Sequence, residues 1–389
     1  MCKVSDLLDF YSTNSLSWDK LEYGTTNIQN LHYGLIHVGL PTMVDIDKDN
    51  LPNIIDGNVP KNYELCKEGD IVFADASEDT NEVAKAVEYY NLNGKKVVCG
   101  LHTIHGRDNK NKTVVGYKGY AFSSMSFHHQ IRRIAQGTKI YSINSKNFSE
   151  CYVGIPSKDE QQKIADLLRL IDERIATQNK IIDKLQSLIK GINQRVFMNS
   201  GTNYKLGEIC EIRNGYSGSQ HLSKKGLKVS RIETISGHKV NMERVGYVAP
   251  FESSENYRLQ VGDILFSNIN SVEYIGNTAF IDKDYDLYHG MNLLRLTPNN
   301  MVVIPFYLYL LLNTNRMLNR FKTVCNKAVS QASINQTELG KTVVQIPDIN
   351  AQKQICELYQ ALYDKLESEK YANSLFQKQK QYLLRQMFI

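Results

Sequence analysis

The stretch that decides the fold reads VGIPSKDEQQKI at residues 153–164, and it returns as VQIPDINAQKQI at residues 344–355. The two copies are 191 residues apart, and Gly69-Asp70-Ile71 recurs as Gly262-Asp263-Ile264 at a shift of 193. A fixed offset between like segments indicates a duplicated architecture. The sequence therefore predicts two similar halves in tandem.

Each copy of this stretch opens a helical pattern with residues in alternating steps of four and three, which is the seam of a coiled coil. The same register in the second copy passes through polar Glu369, Asn373 and Lys380, which we expect to fix alignment or to face a partner subunit. Proline followed by Ser157 or Asp348 predicts where each helix starts. The predicted seam consists of Ile164, Leu168, Ile171, Ile175, Ile182, Leu185, Ile189, Ile355, Tyr359, Leu362, Leu366, Phe376 and Leu383.

Roughly forty helical residues would extend about 60 Å, which is longer than a small domain is wide. We therefore expect the two helices to pair as an antiparallel coiled coil and to hold the remaining domains apart as a rigid spacer. The alternative is that each long helix packs only on its own domain.

The segments before the helices contain short β-type runs, such as 70–74, 96–99 and 277–281, and helical patterns such as 306–321. Gly, Asn and Asp punctuate them, which is typical of turns. The predicted fold class is α+β, with two tandem α+β domains in a pseudo-two-fold repeat. We place the first domain at 1–152, its helix at 153–200, the second domain at 201–343 and its helix at 344–389.

The composition is that of an ordinary globular protein of 389 residues, 42% of them hydrophobic. The net charge of +5 and the pI near 8.6 permit binding to a polyanion without requiring it. The seven scattered cysteines include no Cys-x-x-Cys pair, which favours reduced thiols. Neither a secretory signal nor an apolar run long enough for a membrane span is visible, so we expect a cytoplasmic protein.

Sequence motifs give no candidate for a catalytic site. The segment Gly340-Lys341-Thr342 has Asn335 where a phosphate-binding loop needs its first glycine, and no Glu-x-Lys nuclease pair or Gly-x-Ser-x-Gly elbow is present. Cys99, His102 and His105 have metal-like spacing, but on a strand His102 would face away from the other two. We therefore predict no metal site and no catalytic residue.

The repeat resembles the specificity (S) subunit of type I restriction-modification systems. Ile155-Pro156, the segment 160–164 and Leu170-Ile171-Asp172-Glu173-Arg174-Ile175 are similar to the first conserved region of that family, and residues 344–366 form a looser second copy. The second copy has Ala351 in place of glutamate and Tyr363-Asp364-Lys365 in place of Asp-Glu-Arg.

The resemblance implies a DNA-reading chain that neither cuts nor methylates. Its two target recognition domains would each read one half of a split sequence, separated by the paired helices. The implied partners are double-stranded DNA, two modification subunits and restriction subunits. S-adenosylmethionine, ATP and Mg²⁺ would belong to those partners, and this chain would bind no cofactor itself.

Basic and amide side chains in turn-like surroundings are the candidates for DNA contact, because cations neutralise phosphates and amides match base edges. In the first domain we select Arg107, Lys110, Lys112, Arg132, Arg133 and Lys139. In the second domain we select Tyr216, Lys224, Lys225, Arg231, Asn268, Asn270, Lys322, Lys327 and Gln331. Two other hypotheses remain at this point: a coiled-coil structural adaptor without DNA affinity, and an enzyme with an unrecognised site.

Overall fold

The computed structural model describes residues 1–197, 201–220, 224–327 and 331–388, and it divides into two compact units. Unit 1 contains residues 1–180 and 370–389, and unit 2 contains residues 181–369. Both units combine sheets with helices, so the predicted tandem α+β fold is confirmed. Within these ranges, every helix is too short or too polar to cross a membrane.

Short elements dominate both halves of the chain. Up to residue 196 they are β1 Cys2–Lys3, α1 Val4–Leu7, β2 Asp9–Tyr11, β3 Leu21–Glu22, β4 Gln29–Leu31, α2 Tyr33–Val38, β5 Met43–Asp45, β6 Asn53–Ile54, β7 Ile71–Ala74, β8 Ala76–Ser77, β9 Ala86–Asn91, β10 Val97–Cys99, β11 Thr103–Arg107, α3 Lys118–Phe122, α4 Met125–Ile134, β12 Tyr141–Ser142, α5 Ser145–Ser149, β13 Tyr152–Val153 and α6 Lys158–Val196.

The second half repeats this succession of short elements before its own long helix. From residue 202 they are β14 Thr202–Lys205, α7 Leu206–Ile209, β15 Cys210–Asn214, β16 Leu227–Val229, β17 Gly246–Val248, β18 Ile264–Ser267, β19 Ile269–Asn270, β20 Thr278–Phe280, β21 Leu293–Pro298, α8 Pro305–Leu312, α9 Asn315–Val324, β22 Asn326–Lys327, β23 Ala332–Ser333, α10 Gln336–Gly340, β24 Val343–Ile346 and α11 Ile349–Met387.

Unit 1 is built on a five-stranded sheet in the order β2-β11-β7-β9-β5, in which only β5 and β9 are parallel. All four residues of β7 are buried, because both faces of the sheet are covered. Ile71 and Phe73 pack in one apolar cluster with the helices, whereas Val72 and Ala74 pack in another that includes Cys99 of β10.

Unit 2 repeats this arrangement around the four-stranded sheet β15-β21-β18-β20. Ile264 and Phe266 of β18 face one apolar cluster, and Leu265 faces the other. The two Gly-Asp-Ile segments therefore start equivalent central strands, as the repeat predicted.

The helical pattern predicted over 306–321 differs from the structure. The segment forms two helices, α8 and α9, instead of one. Thr314 lies between them and caps α9, because its hydroxyl accepts the amide N–H of Met317 at 3.3 Å. Ser124 caps α4 in the same way through the N–H of Phe127. An N-cap residue inside an apolar pattern thus marks a break that periodicity alone does not reveal.

The two long helices have 39 residues each and start where the sequence predicted. Ser157 Oγ accepts the N–H of Glu160 at 3.4 Å, and Asp348 Oδ1 accepts the N–H of Ala351 at 3.0 Å. Both residues therefore cap their helices, which confirms the predicted starts.

A buried glutamine in the first turn fastens each long helix to the domain that precedes it. Gln161 donates to the carbonyls of Lys112 and Pro156 and accepts the N–H of Val114. Gln352 makes the same three bonds, to Val302, Pro347 and Ile304. Both side chains are completely buried, so these bonds are made away from water.

The beginning of α6 and the end of α11 pair antiparallel in unit 1. Asp172 forms an ion pair with Lys380 at 2.6 Å, and Asn179, seven residues later, bonds to Asn373, seven residues earlier, at 2.9 Å. The predicted polar seam positions at 373 and 380 therefore meet polar partners across the pair, as is typical of residues that fix register.

The end of α6 and the beginning of α11 pair in unit 2. Ile182, Leu185 and Ile189 pack there with Tyr359, Leu362 and Leu366. The hydroxyl of Tyr359 bonds to Asn193, and Glu369 forms an ion pair with Lys365 of its own helix. The predicted antiparallel pairing is confirmed, whereas the role of the pair as a spacer stays a prediction.

Each long helix ends against a tyrosine at an equivalent place. Phe197, after α6, packs on Tyr307 in unit 2 with ring centroids 5.4 Å apart. Phe388, after α11, packs on Tyr117 in unit 1 at 5.7 Å and is buried. A helix that begins on one domain thus ends in the core of the other unit, in both copies.

Candidate nucleic-acid interface

Arg107 is the one predicted contact that the structure places in a buried ion-pair network. Its guanidinium donates twice to Asp70 at 2.8 Å, once to Glu64 at 2.6 Å and once to the carbonyl of Leu65, and it lies over the ring of Tyr11. The hydrogen bonds to Asp70 are the main cause of the raised pKa of Arg107. Because these partners occupy the guanidinium, Arg107 is removed from the set of DNA contacts.

Lys110 and Lys112 lie in the loop between β11 and α3, and both reach the first turn of the chain. Their ammonium groups donate to the carbonyl of Asp6 at 2.9 and 3.1 Å. Lys112 is half-buried and its ammonium group also lies 3.9 Å from Cys2 Sγ. An ammonium group has three donors, so both lysines stay candidates.

Arg132, Arg133 and Lys139 mark a continuous basic segment in unit 1. The two arginines lie in the last turn of α4, where Arg133 is exposed and Arg132 half-buried, and Lys139 is exposed in the connection to β12. This connection is closed by a bridge between Gln136 and Ser142, and β12 pairs with β8. We call β8, β12 and this bridge the small sheet of unit 1.

Unit 2 has an equivalent small sheet, formed by β19, β23 and β22. Asn270 and Lys327 pair with Ala332 from opposite sides, so the three residues lie in one row across the sheet. Gln331 precedes this row and is exposed, and Lys322 lies in the last turn of α9. The fold therefore brings together four candidates that are up to 61 positions apart in the sequence.

Asn268 is the second candidate that the structure places in a buried position. Its side chain is only 8% exposed, beside the small sheet of unit 2, and its carbonyl accepts the N–H of Ile334 at 2.9 Å. A side chain at this depth cannot reach a base edge. Asn270 is more accessible, although its amide already bonds to Ser267 Oγ and to the N–H of Ser271.

Tyr216 is half-buried in an aromatic cluster. Its ring stacks on Phe251 at 4.0 Å between centroids and 8° between planes, and Tyr257 meets it edge-on. One ring face is therefore occupied by the protein itself, which supports a packing role for Tyr216 beside its predicted role at DNA.

Arg231 borders an open groove of about 470 Å³ in unit 2, together with Gln220 and Asn292. Its side chain lies 3.6 Å from Glu233 and is exposed. Lys224 and Lys225 are also exposed, just before β16. Sequence reasoning missed Gln220 and Asn292, whose amides carry the donor and acceptor pairs suited to base edges.

In unit 1, sequence reasoning missed Ser77, Gln136 and Tyr141 of the small sheet. A signal for Ser77 was available, because it corresponds to Asn270 at the 193-residue shift that relates the Gly-Asp-Ile segments. Applying that shift to every candidate would have indicated that both halves present the same segment.

Comparison with known proteins gives a consistent family. The model described as Type I restriction modification DNA specificity domain matches residues 49–187 and 200–374, more than half of the chain. The putative type I restriction enzyme MjaX specificity subunit of Methanocaldococcus jannaschii is 44% identical over 158 residues, which are 40% of this chain and 37% of that protein. The type I restriction enzyme EcoKI specificity subunit of Escherichia coli is 25% identical over 342 residues, covering 78% of this chain and 71% of that one.

Two solved structures share the fold. The type I restriction-modification S subunit from M. genitalium aligns over 100% of this chain and 95% of its own, with a TM-score of 0.59 and 16% identity. A chain from a structural study of complex assembly and conformational transition in the type I R-M system aligns over 98% and 95%, with a TM-score of 0.60 and 15% identity.

Proposed function

Because the chain belongs to the family of type I restriction modification DNA specificity domains, we propose that it reads the two halves of a bipartite DNA target for a type I restriction-modification complex. Each half of the chain would read one part of that target. The chain would be a non-catalytic reader, and other subunits would methylate and cut.

The observation that carries this proposal is the repeated pairing of a basic helix end with a small sheet. Arg132 and Arg133 end α4 beside the small sheet of unit 1, and Lys322 ends α9 beside that of unit 2. Cations near exposed amides are the side chains that combine phosphate contact with base readout. A structural adaptor without DNA affinity would need no such segment in either half.

The proposed DNA contacts are accordingly restricted to accessible positions. They comprise Lys110, Lys112, Arg132, Arg133, Lys139, Tyr216, Lys224, Lys225, Arg231, Asn270, Lys322, Lys327 and Gln331, with Gln220 and Asn292 added from the groove. Phosphate contacts position the duplex, and the amides are the candidates for specificity.

The partners and the domain boundaries follow the same reasoning. The recognition domains would be 1–152 and 201–343, and the helical segments 153–200 and 344–389 would set the gap between the half-sites. Two modification subunits and the restriction subunits would bind this scaffold and supply S-adenosylmethionine, ATP and Mg²⁺. The tandem repeat supports two equivalent partners, because it gives one chain two like surfaces.

The first test measures affinity for duplex DNA that contains the target as a function of salt. We expect affinity to fall by orders of magnitude between low and moderate salt, and each phosphate contact removed by R133A, K139A or K327A to lower the slope by about one. The matched control is K184A with K190A, which removes two exposed charges from α6. Salt-independent binding, or none, would support the adaptor hypothesis instead.

The second test exchanges residues 1–150 for those of a relative and maps methylated adenines in the host genome. We expect one half of the methylated sequence to change and the other half to stay the same. An unchanged pattern would contradict reading by separate halves.

A further inference from the structure

We propose that unit 1 holds a structural zinc ion between the thiols of Cys66 and Cys99 and the imidazole of His105. The two sulfur atoms are 3.4 Å apart, and a ring nitrogen of His105 lies within 4.8 Å of both. All three residues are buried. Zinc binds sulfur at about 2.3 Å and nitrogen at about 2.0 Å in a tetrahedron, which requires ligand atoms roughly 3.5 Å apart.

His105 is oriented as metal-bound histidines are. Its Nε2 lies 2.7 Å from Asp70 Oδ2. The contact with Asp70 places the ring proton on Nε2, whereas Nδ1 is buried with no hydrogen-bond partner among the described residues. A carboxylate that holds the far nitrogen of the ring is the usual support of a metal-bound imidazole.

Tyr89 is buried beside the two cysteines. Two thiolates and one Zn²⁺ carry no net charge. The site could therefore be buried without the cost of an isolated charge.

The equivalent positions of unit 2 indicate that the frame does not need these polar groups. The N–H of Cys66 bonds to Val97, as the N–H of Leu259 bonds to Leu287. Leu259 thus takes the place of Cys66, and it packs in an apolar cluster.

The same correspondence holds for the other two residues. Gly69 donates to the carbonyl of Tyr89, as Gly262 donates to that of Ile281, so isoleucine replaces the tyrosine. His105 pairs with the central strand where Arg295 does in unit 2. Two of the three ligands and the tyrosine are therefore specific to unit 1, which favours a function that only this unit has.

The ion would join two layers of the unit. Cys99 ends β10 of the four-stranded sheet, His105 lies in β11 of the five-stranded sheet, and Cys66 lies in the connection before β7. A shared metal would fix the sheets to each other and stabilise unit 1, because binding free energy adds to folding free energy. His102 would take no part, since its Nδ1 is 3.1 Å from Asp75 at the surface.

The test uses the full chain purified without an affinity tag under reducing conditions. We expect elemental analysis to find about one zinc per chain. After chelation, Co²⁺ should restore one equivalent and show the charge-transfer absorption of thiolate ligands. Chelation should increase amide hydrogen exchange in β10 and β11 and leave β18 and β21 unchanged.

Variants locate the ion. C66L copies unit 2 and should reduce bound zinc at least tenfold, as should C99A, while C151A removes another buried cysteine of unit 1 and should retain it. A wild-type chain with less than about a tenth of an equivalent, or one in which Cys66 and Cys99 resist alkylation because they form a disulfide, would overturn the proposal. The wild-type cobalt measurement decides the matter even if a variant fails to fold.

Discussion

Asp70 and Asp263 occupy the same place in the two units but face different interiors. Each follows a glycine at the start of the central strand, and each accepts the amide N–H of the residue three positions earlier, at 2.9 and 2.8 Å. Asp70 then bonds to His105 and Arg107, whereas Asp263 accepts only the hydroxyl of Thr297 as a side-chain donor, at 2.6 Å, within the described part of the chain.

This comparison teaches that the repeat conserves backbone connections rather than core composition. The N-caps, the two buried glutamines and the turn before the central strand are the same in both units. The side chains that fill the space between the sheets are not. Selection on a duplicated domain can therefore change one interior while the hydrogen-bonded frame holds the other elements in place.

The largest effect should come from breaking a feature that both units share, the helix pair. The double variant I171D/L362D places a carboxylate on the seam in each unit, and we expect a loss of roughly 5 kcal/mol because neither charge has a partner. Leu170 is 51% exposed, so L170D should cost less than about 0.5 kcal/mol. Thermal unfolding measures both; equal stability of the two variants would contradict the pairing.

Replacing each of the two aspartates by the isosteric asparagine tests how the two interiors differ. D70N leaves the buried Arg107 with a weaker partner, and we expect a loss of about 3 kcal/mol, against about 1 kcal/mol for D263N. Hydrogen exchange in β7 and β18 reports each unit separately. A larger effect for D263N would reverse the comparison.

The lowered pKa of Asp70 predicts that the effect of D70N on stability depends on pH. Since the pKa of Asp70 is lower in the folded state than in the unfolded chain, its stabilisation is present above the unfolded value, near 3.9. It is lost as the pH falls through the folded value. The stability difference between wild type and D70N should thus be constant from about pH 6, roughly two units above that value, to neutrality. It should shrink in stronger acid.

The two buried glutamines, Gln161 and Gln352, should contribute equally to stability. Q161A and Q352A each leave a buried N–H and two carbonyls without their partner, so we expect about 2 kcal/mol from each. Q162A is the control, because Gln162 is exposed and its amide donates to Asp166 of its own helix. If the losses of stability caused by Q161A and Q352A differed by more than about 1 kcal/mol, the two helix attachments would not be equivalent, although their hydrogen bonds are the same.

The smallest effect concerns the polar residues of the seam. K380M removes the half-buried ion pair with Asp172 in unit 1, and Y359F removes the hydroxyl that bonds to Asn193 in unit 2. We expect about 1 kcal/mol from each. Chemical denaturation can measure a loss of this size when the m-values of variant and wild type agree. A gain in stability would mean that these residues fix the register of the helix pair without stabilising it.

Much of the fold could be predicted because the information was local or periodic. Ser157, Asp348 and the seam residues follow from capping chemistry and from steps of four and three, and the repeat follows from comparing the chain with itself. The break at Thr314 was missed because an apolar pattern continues across it. A helix cap inside an apolar pattern is recognised only from the hydrogen bond between its side chain and the backbone, which the sequence does not show.

The candidate site was less predictable, because accessibility is a tertiary property. Arg107 has the residue type and turn-like surroundings of a DNA contact, yet Asp70, 37 positions earlier, holds it in the core. Cys66 was overlooked as a neighbour of Cys99 for the same reason, since 33 positions separate them. Residue type narrows the candidates, and only packing decides which of them face solvent.

The burial of Phe388 beside Tyr117 has a consequence for biosynthesis. The amino-terminal unit includes residues 370–388, which leave the ribosome only after all of unit 2 has been translated. Until those residues have been translated, the core of unit 1 lacks Phe388. Ser126 Oγ, which donates to the carbonyl of Phe388 at 2.7 Å in the complete fold, then also lacks this partner. Vectorial synthesis and completion of the fold thus run in opposite orders: the unit that is made first is closed last.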